Sequence, residues 1–297
     1  MPPAQQGKML VTFWGTRGSI STPGRSTEKY GGHTPCIFVE HGDTKIIFDA
    51  GTGIRNLGLH LTDLLERSQK LPPLHLFLSH THWDHIQGLP FFQPAYLKEV
   101  VLTIYGSPMK ERFLGAVLKG QMDVEYFPVA LSALAAQLSI QEMSEERMEL
   151  GDVLVEWQEQ VLHPGGSVRY RLTVGDKRVV YATDVELDRL VDGSAGGDCR
   201  ALLDDYLRFV ENADLLIADG QYTAQEYAEK AGWGHTSIPV LTSLAERAGV
   251  KQLAVFHHDP QHSDRMLDSL WKELRKAGPD KGATQVFWAR EGMTLAV

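Results

Sequence analysis

Three histidines and one aspartate, His80, His82, Asp84 and His85, fall within six positions of a 297-residue chain. Neutral imidazole and carboxylate are ligands that suit zinc, manganese or iron. The apolar run from Leu74 to Leu78 precedes them, so the group sits where a strand ends and the chain turns. His80 and His82 share strand parity and project to one side. Asp84 and His85 follow in the turn and can aim at a second position a few Å away. So many ligand types so close together predict a dinuclear metal site rather than a polar strand end.

Partners must come from further along. His163 lies in Val161-Leu162-His163-Pro164-Gly165-Gly166, Asp184 closes the run from Val179 to Thr183, and His257-His258 follow Leu253 to Phe256. A histidine at a strand end is often structural, and an aspartate there often caps a turn. Together they are His or Asp at the ends of successive strands, which a layered sheet would gather on one rim.

The elements that must do this gathering are short apolar strands punctuated by glycine, with helices among them. Strands are expected at 11–14, 36–40, 45–48, 101–105, 153–162, 168–174, 178–182, 215–218 and 252–256. His41-Gly42-Asp43-Thr44 reads as a hairpin turn, and Gly175-Asp176 as another. Helices are expected over 54–68, after the metal motif, over 223–230 and 239–248, and from Ser263 to a stop at Gly278-Pro279. The stretch 110–137 reads as an apolar helical insert broken at Tyr126-Phe127-Pro128, and 192–198 as a mobile loop. Two rounds of strands and helices predict a four-layer α/β design, two packed sheets with helices outside, in one domain over 1–297.

Composition narrows the function. Lys and Arg number 29 against 38 Asp and Glu, a net charge of −9, which argues against a broad basic surface for duplex DNA or folded RNA. Two cysteines, Cys36 and Cys199, cannot build a disulfide framework and suit a reducing compartment. The N-terminal residues hold no apolar stretch of signal-peptide length, and no segment could span a membrane. The expected location is cytoplasmic.

The order His80-x-His82-x-Asp84-His85, His163, Asp184, His257 resembles the metallo-β-lactamase fold superfamily over nearly the whole chain. Ile86-Gln87-Gly88-Leu89-Pro90, Leu102-Thr103-Ile104-Tyr105-Gly106, and Leu215-Leu216-Ile217-Ala218-Asp219 ahead of Gly234-His235-Thr236-Ser237 are similar to the phosphodiesterase branch that contains ribonuclease Z. The resemblance implies an αββα sandwich and two divalent ions, zinc first, with manganese or iron as alternatives. It implies that His80, His82 and His163 hold one ion and Asp84, His85 and His257 the other, with Asp184 bridging. Pro260 stands three positions after His257, as in the family; His258 is the ligand if the register slips by one. Asp49 matches a strand-end aspartate that orients a ligand histidine. The resemblance further implies catalytic roles for Asp84, His235 and Asp219. His235 would be general acid or donor to the leaving oxygen, oriented by Asp219. The other reading of His235 bonds its ring to the start of the next helix, with Ser237 as cap.

Two departures matter. Ribonuclease Z carries a long Gly/Pro-rich arm that grips transfer RNA, inserted between the third metal histidine and the bridging aspartate. Here only positions 164–183 separate His163 from Asp184, which leaves no room for it. Asp219 also replaces the family's glutamate. The expected substrate is therefore a small phosphodiester, of cyclic or dinucleotide type, rather than folded RNA. Hydrolysis of a thioester, lactone or β-lactam on the same scaffold is the alternative, as is a metal-bound sensor without turnover. Arg17, Arg55, Lys110 and Arg112 are candidates to receive phosphate. Trp83, Tyr126, Phe127, Tyr222 and Trp233 are candidates to wall the pocket or stack a base. A homodimer would cover the apolar insert.

Overall fold

Strand alternation decides the layering of this molecule. The computed structural model describes residues 7–107, 113–277 and 284–297. The first half contains β1 (Leu10–Gly15), β2 (Cys36–His41), β3 (Thr44–Phe48), α1 (Ile54–Ser68), β4 (Leu74–Phe77), α2 (Trp83–Ile86), β5 (Val101–Gly106), α3 (Leu114–Gln121) and β6 (Gln137–Glu142). Then follow β7 (Arg147–Leu150), β8 (Val153–Gln160), β9 (Ser167–Val174), β10 (Lys177–Ala182), α4 (Asp188–Val191) and α5 (Cys199–Val210). The chain continues through β11 (Leu215–Asp219), α6 (Ala224–Lys230), α7 (Ile238–Arg247), β12 (Gln252–Phe256), α8 (Asp264–Ala277), β13 (Gln285–Trp288) and β14 (Thr294–Ala296). One seven-stranded sheet runs β14-β1-β2-β3-β4-β5-β6, and the other β13-β12-β11-β10-β9-β8-β7.

Successive side chains of a strand point to opposite faces. Val11, Phe13, Ile37, Val39, Ile46, Phe48 and Phe77 therefore meet Tyr170, Tyr181, Ile217 and Phe256 between the sheets. Their alternates Phe38, Ile47, Leu74, Leu76 and Ile104 pack under Ile54, Leu57 and Leu61 of α1 and Leu114 and Leu118 of α3. On the far side, Val180, Leu216, Leu253 and Val255 pack under α5, α7 and α8 through Leu203, Tyr206, Leu241, Leu244 and Leu267. Strands apolar on both faces are what a sheet buried on both faces requires. Three apolar interfaces make four layers, the α/β design that the strand pattern predicts and the αββα sandwich that the resemblance implies.

Both expected hairpins form, with His41 opposite Thr44 and Val174 opposite Lys177. The helix expected after the metal motif is replaced by two short 3-10 turns, and the single turn of α2 lies within the motif and carries Asp84 and His85. The helical reading of 110–137 narrows to α3 and one 3-10 turn at Leu131–Ala133. Pro128 and the turns around Asp123 end it, and Lys110 and Arg112 lie outside the described residues, as does the Gly278-Pro279 stop. The 192–198 stretch is a loop, and it closes on Asp198, whose carboxylate accepts from the Ala201 N–H to cap α5. No helix among the described residues is long and apolar enough to cross a membrane.

An aromatic stack ties the sheets at the strand ends that carry the site. Phe48 stacks on Tyr170 and Tyr181 at centroid distances of 5.3 and 5.1 Å and lies 6.1 Å from Phe77. Removing the central ring leaves a cavity that close-packed neighbours cannot fill. Phe48→Ala is expected to cost about 3–5 kcal/mol in a denaturant titration of metal-free protein; a loss under about 1 kcal/mol would mean that the stack does not hold the sheets together.

Candidate metal centre

The strand ends converge on one rim. Asp49 follows β3, His80 to His85 follow β4, His163 lies between β8 and β9, Asp184 follows β10, Asp219 ends β11, and His257 follows β12. Three of these residues leave their strands in the left-handed region: Asp49 at φ 61°, Asp184 at 55° and His257 at 60°. Non-glycine residues rarely hold that conformation, and aspartate and histidine tolerate it better than most. Each reversal turns a side chain across the rim rather than along the strand.

Groups that can only accept a hydrogen bond set the ring tautomers. His85 Nδ1–H donates to Asp49 Oδ2 at 2.7 Å, His163 Nδ1–H to the Gly234 carbonyl at 2.9 Å, and His257 Nδ1–H to Gln221 Oε1 at 3.0 Å. The Nε2 lone pair of each ring then faces inward. His163 Nε2 lies 2.9 Å from His82 Nδ1. His85 Nε2 and His257 Nε2 lie 3.3 and 3.2 Å from Asp84 Oδ2. Lone pairs facing lone pairs and carboxylate oxygens repel unless a cation or proton sits among them.

Asp184 divides the donors into two sets. Its Oδ1 faces His80 Nε2 and His163 Nε2 at 3.9 and 3.8 Å; its Oδ2 faces His85 Nε2 and His257 Nε2 at 3.3 and 3.4 Å. His80, His82 and His163 bring their ring nitrogens within 4.8 Å of one another, and Asp84, His85 and His257 do the same with one atom each. His80 Nε2 and His85 Nε2 are buried with no hydrogen-bond partner. Orphaned buried nitrogens of this kind are costly in an empty protein and are what a metal would satisfy. The residues fit a divalent metal centre.

The electrostatics agree. Burial pushes His80, His82 and His163 below the ordinary histidine range, so these rings stay neutral and ligand-competent. Burial opposes charge on Asp84 and Asp184, yet the facing histidines hold both well below the carboxylate range. Burial likewise opposes charge on His85, and Asp84, Asp184 and Asp49 overcome it and drive the ring well above 6.5. This point therefore favours positive charge, held as a proton on His85 or as a cation in its place.

The pattern of residues placed on the rim extends to His235 and Asp219. His235 Nδ1 lies 2.7 Å from Asp219 Oδ2 and 3.8 Å from Asp184 Oδ1. Its ring bonds to Asp219 and not to the following helix, and Ser237 binds Asp188 instead of capping α7. His257 turns toward the centre, whereas His258 turns away to the Ala289 carbonyl at 2.8 Å. Burial, then Arg17, pushes His258 down to about 3. Arg17 is not free to receive phosphate: its guanidinium is buried and donates to the carbonyls of Gly31, Asp259 and His262. Arg55 is exposed and donates to Asn56. Tyr222 is buried, 5.8 Å from the His235 ring, whereas Trp83 and Trp233 are exposed beside the centre.

Several supports have no sequence signal of their own. Tyr181 of the second sheet donates to Asp49 of the first at 2.6 Å. Ser19 N–H donates to Asp84 Oδ2 at 2.8 Å. A Cβ on Gly18 would sit 2.4 Å from His257 Nδ1, and one on Gly234, at φ 90°, 2.5 Å from His163 Nδ1. Glu186 accepts from the Gly232 and Gly234 amides and from the Tyr227 hydroxyl, which pins the loop that presents His235. Of these, only Gly234 lies in a segment that the sequence itself singled out, Gly234-His235-Thr236-Ser237.

Residues 44–258 match the model of the beta-lactamase superfamily domain. The chain belongs to the beta-lactamase superfamily. A ribonuclease Z of Natronomonas pharaonis is 25% identical over 88% of this chain and 92% of its own length. The solved metallo-beta-lactamase fold protein YhfI from Bacillus subtilis superposes with a TM-score of 0.64 at 22% identity, covering 98% of this chain and all of that one. The short form of human tRNase Z gives 0.63 at 17% identity, over 96% of this chain and 98% of that chain. The beta-lactamase superfamily assignment, the ribonuclease Z relatives and the histidine–aspartate cluster together make this chain a metal-dependent hydrolase.

Asp49 orients His85 without facing the centre itself. Asp49→Asn is expected to weaken divalent-metal binding about 10–100-fold, measured by competition with a chromogenic chelator; unchanged affinity would remove Asp49 from the support of the site.

Proposed function

We propose that the chain is a dinuclear metal-dependent phosphodiesterase that acts on a small phosphodiester of cyclic or dinucleotide type. The observation that supports it best is Asp184, with one oxygen toward each of two nitrogen sets and with His235 against the first of them. His80, His82 and His163 would hold one cation, Asp84, His85 and His257 the second, and Asp184 would bridge. Zinc suits this imidazole and carboxylate set best, with manganese or iron next. When bound, two such cations supply Lewis acidity to a phosphoryl oxygen and lower the pKa of water into the neutral range.

The protein's own residues do the rest. Asp84 and Asp184 crowd negative charge at the centre, which favours the cations and repels a second anion once they are absent. Asp219 holds His235 by Nδ1, so that Nε2 is the atom able to give a proton to the departing alkoxide. Burial pushes His235 down and Asp219 well up, so the pair would hold one proton on each partner: His235 gives Nε2–H to the alkoxide while the Asp219 proton passes to Nδ1. The β9–β10 hairpin that separates His163 from Asp184 turns at Gly175-Asp176 and carries no arm, which supports a small substrate over folded RNA.

Homodimerisation through the α3 region is part of the proposal. Phe113, Val124 and Tyr126 are exposed there, and association would bury them. Native mass measurement should show the dimer; monomer alone at micromolar concentration would remove it.

The test of function is hydrolysis of a bis-aryl phosphate against a β-lactam and a thioester, with metal content measured on the same sample. Turnover confined to the β-lactam or the thioester would overturn the phosphodiesterase reading. His235→Ala should keep both metals and lose about 10²–10⁴-fold on esters with poor leaving groups, and far less on nitrophenyl esters. Equal loss on both would argue against proton donation by His235.

A further inference from the structure

Alternate residues after the bridging carboxylate point two ways. Val185 and Leu187 belong to the apolar layer under α5 and α7, whereas Asp184, Glu186 and Asp188 are buried acids turned toward the loop that presents His235. Asp184 Oδ1 lies 3.8 Å from His235 Nδ1. Glu186 holds the chain before that histidine: Oε1 accepts from the Gly232 N–H at 2.7 Å and Oε2 from the Gly234 N–H at 3.2 Å. Asp188 holds the chain after it, accepting from the Ser237 N–H at 2.8 Å and the Ser237 hydroxyl at 2.6 Å. Between them, Thr236 Oγ1 donates to the Val185 carbonyl and accepts from the Leu187 N–H.

Of these grips, that of Glu186 bears on the part of the loop with the least other support. Residues 231–233 are exposed, and Gly232 and Gly234 stand at φ 92° and 90°. Neither apolar packing nor a stiff backbone therefore sets the path from α6 to His235. Glu186 itself is anchored at both ends of its own residue. Its main-chain N–H donates to the Leu162 carbonyl at 2.9 Å, next to the candidate ligand His163, and its Oε1 also accepts from the Tyr227 hydroxyl of α6 at 2.8 Å. A carboxylate that is 2% exposed is costly unless donors surround it, and two of its three donors are main-chain groups of the His235 loop.

We propose that Glu186 is a positioning residue for proton donation: by fixing the Gly232 and Gly234 amides it sets where His235 Nε2 stands relative to the leaving oxygen. This rests on the phosphodiesterase reading, with His235 as the donor; Glu186 acts through His235 and is not among the candidate metal ligands. The two carboxylates divide the work. Asp219 holds the ring at Nδ1, and Glu186 holds the main chain that carries the ring. Proton transfer needs its heavy atoms within hydrogen-bond reach, and a misplacement of about 1 Å costs about 10²-fold. An ester that expels nitrophenolate needs little protonation, so the misplacement is felt only where the leaving group is a poor one. A residue that merely stabilised the fold would slow both kinds of ester alike.

The test compares kcat of the metal-loaded protein on the 4-nitrophenyl and ethyl esters of thymidine 5′-phosphate, with His235→Ala alongside and metal content and thermal melts recorded for every variant. Glu186→Gln keeps the size of the side chain but leaves one of the loop amides facing an NH₂ group. It should retain its metals and lose about 10–100-fold on the ethyl ester and under about threefold on the nitrophenyl ester. Glu186→Asp, which keeps the charge but falls one methylene short, is read in the same way should the glutamine variant not fold. Tyr227→Phe, which leaves both loop amides bonded, should lose far less on the ethyl ester than Glu186→Gln. Equal loss on the two esters, no loss on the ethyl ester, or a loss in Tyr227→Phe as large as in Glu186→Gln overturns the positioning role while His235→Ala still separates the esters. If His235→Ala does not separate them, the donor reading falls and this proposal falls with it.

Discussion

Everything at the rim depends on where three ring hydrogens go. The Asp49 carboxylate, the Gly234 carbonyl and Gln221 Oε1 can only accept, so His85, His163 and His257 turn their other ring nitrogens toward one another and toward Asp84 and Asp184. A protein pays for such an arrangement unless positive charge fills it. The fold does not merely bring ligands together; it fixes their protonation so that the cluster is incomplete without a cation.

The backbone accepts strain to do this. Asp49, Asp184 and His257 all leave their strands left-handed, at a cost of order 1–3 kcal/mol each. The surrounding packing over-determines them: Asp49 takes four hydrogen bonds from Ser79, His85 and Tyr181, and the space beside His257 exists only because residue 18 has no side chain. Strain of this sort is stable where a rigid core stands behind it, and here that core is the aromatic stack between the sheets.

Much of this was legible in the chain itself. Strands apolar on both faces announced buried sheets, and the ligand types at their ends announced a shared rim, because both depend on local pattern alone. Distances between strand ends are long-range facts, so the pairing of His257 rather than His258 with the centre rested on resemblance until the register was seen. The edge strands β6, β7, β13 and β14 escaped notice for a physical reason. The half-exposed patterns of β6 and β7, such as Gln137–Glu142, carry too few apolar residues to stand out, and β13 and β14 are only four and three residues long. Helix α5 escaped because it follows a glycine-rich loop and two aspartates, Asp204 and Asp205, interrupt the spacing of its apolar face, Leu203, Tyr206 and Phe209. Gln221, Glu186 and Tyr181 act through geometry that no motif encodes.

The order of the strands has a bearing on how the molecule comes into being. β14, Thr294–Ala296, lies at the edge of the first sheet beside β1, Leu10–Thr12, although nearly the whole second sheet is translated between them. His257 is likewise among the later residues to leave the ribosome. A nascent chain therefore exposes His80 to His85 for most of its synthesis without the partners that would enclose them, and cation capture has to wait until the two halves have closed on each other.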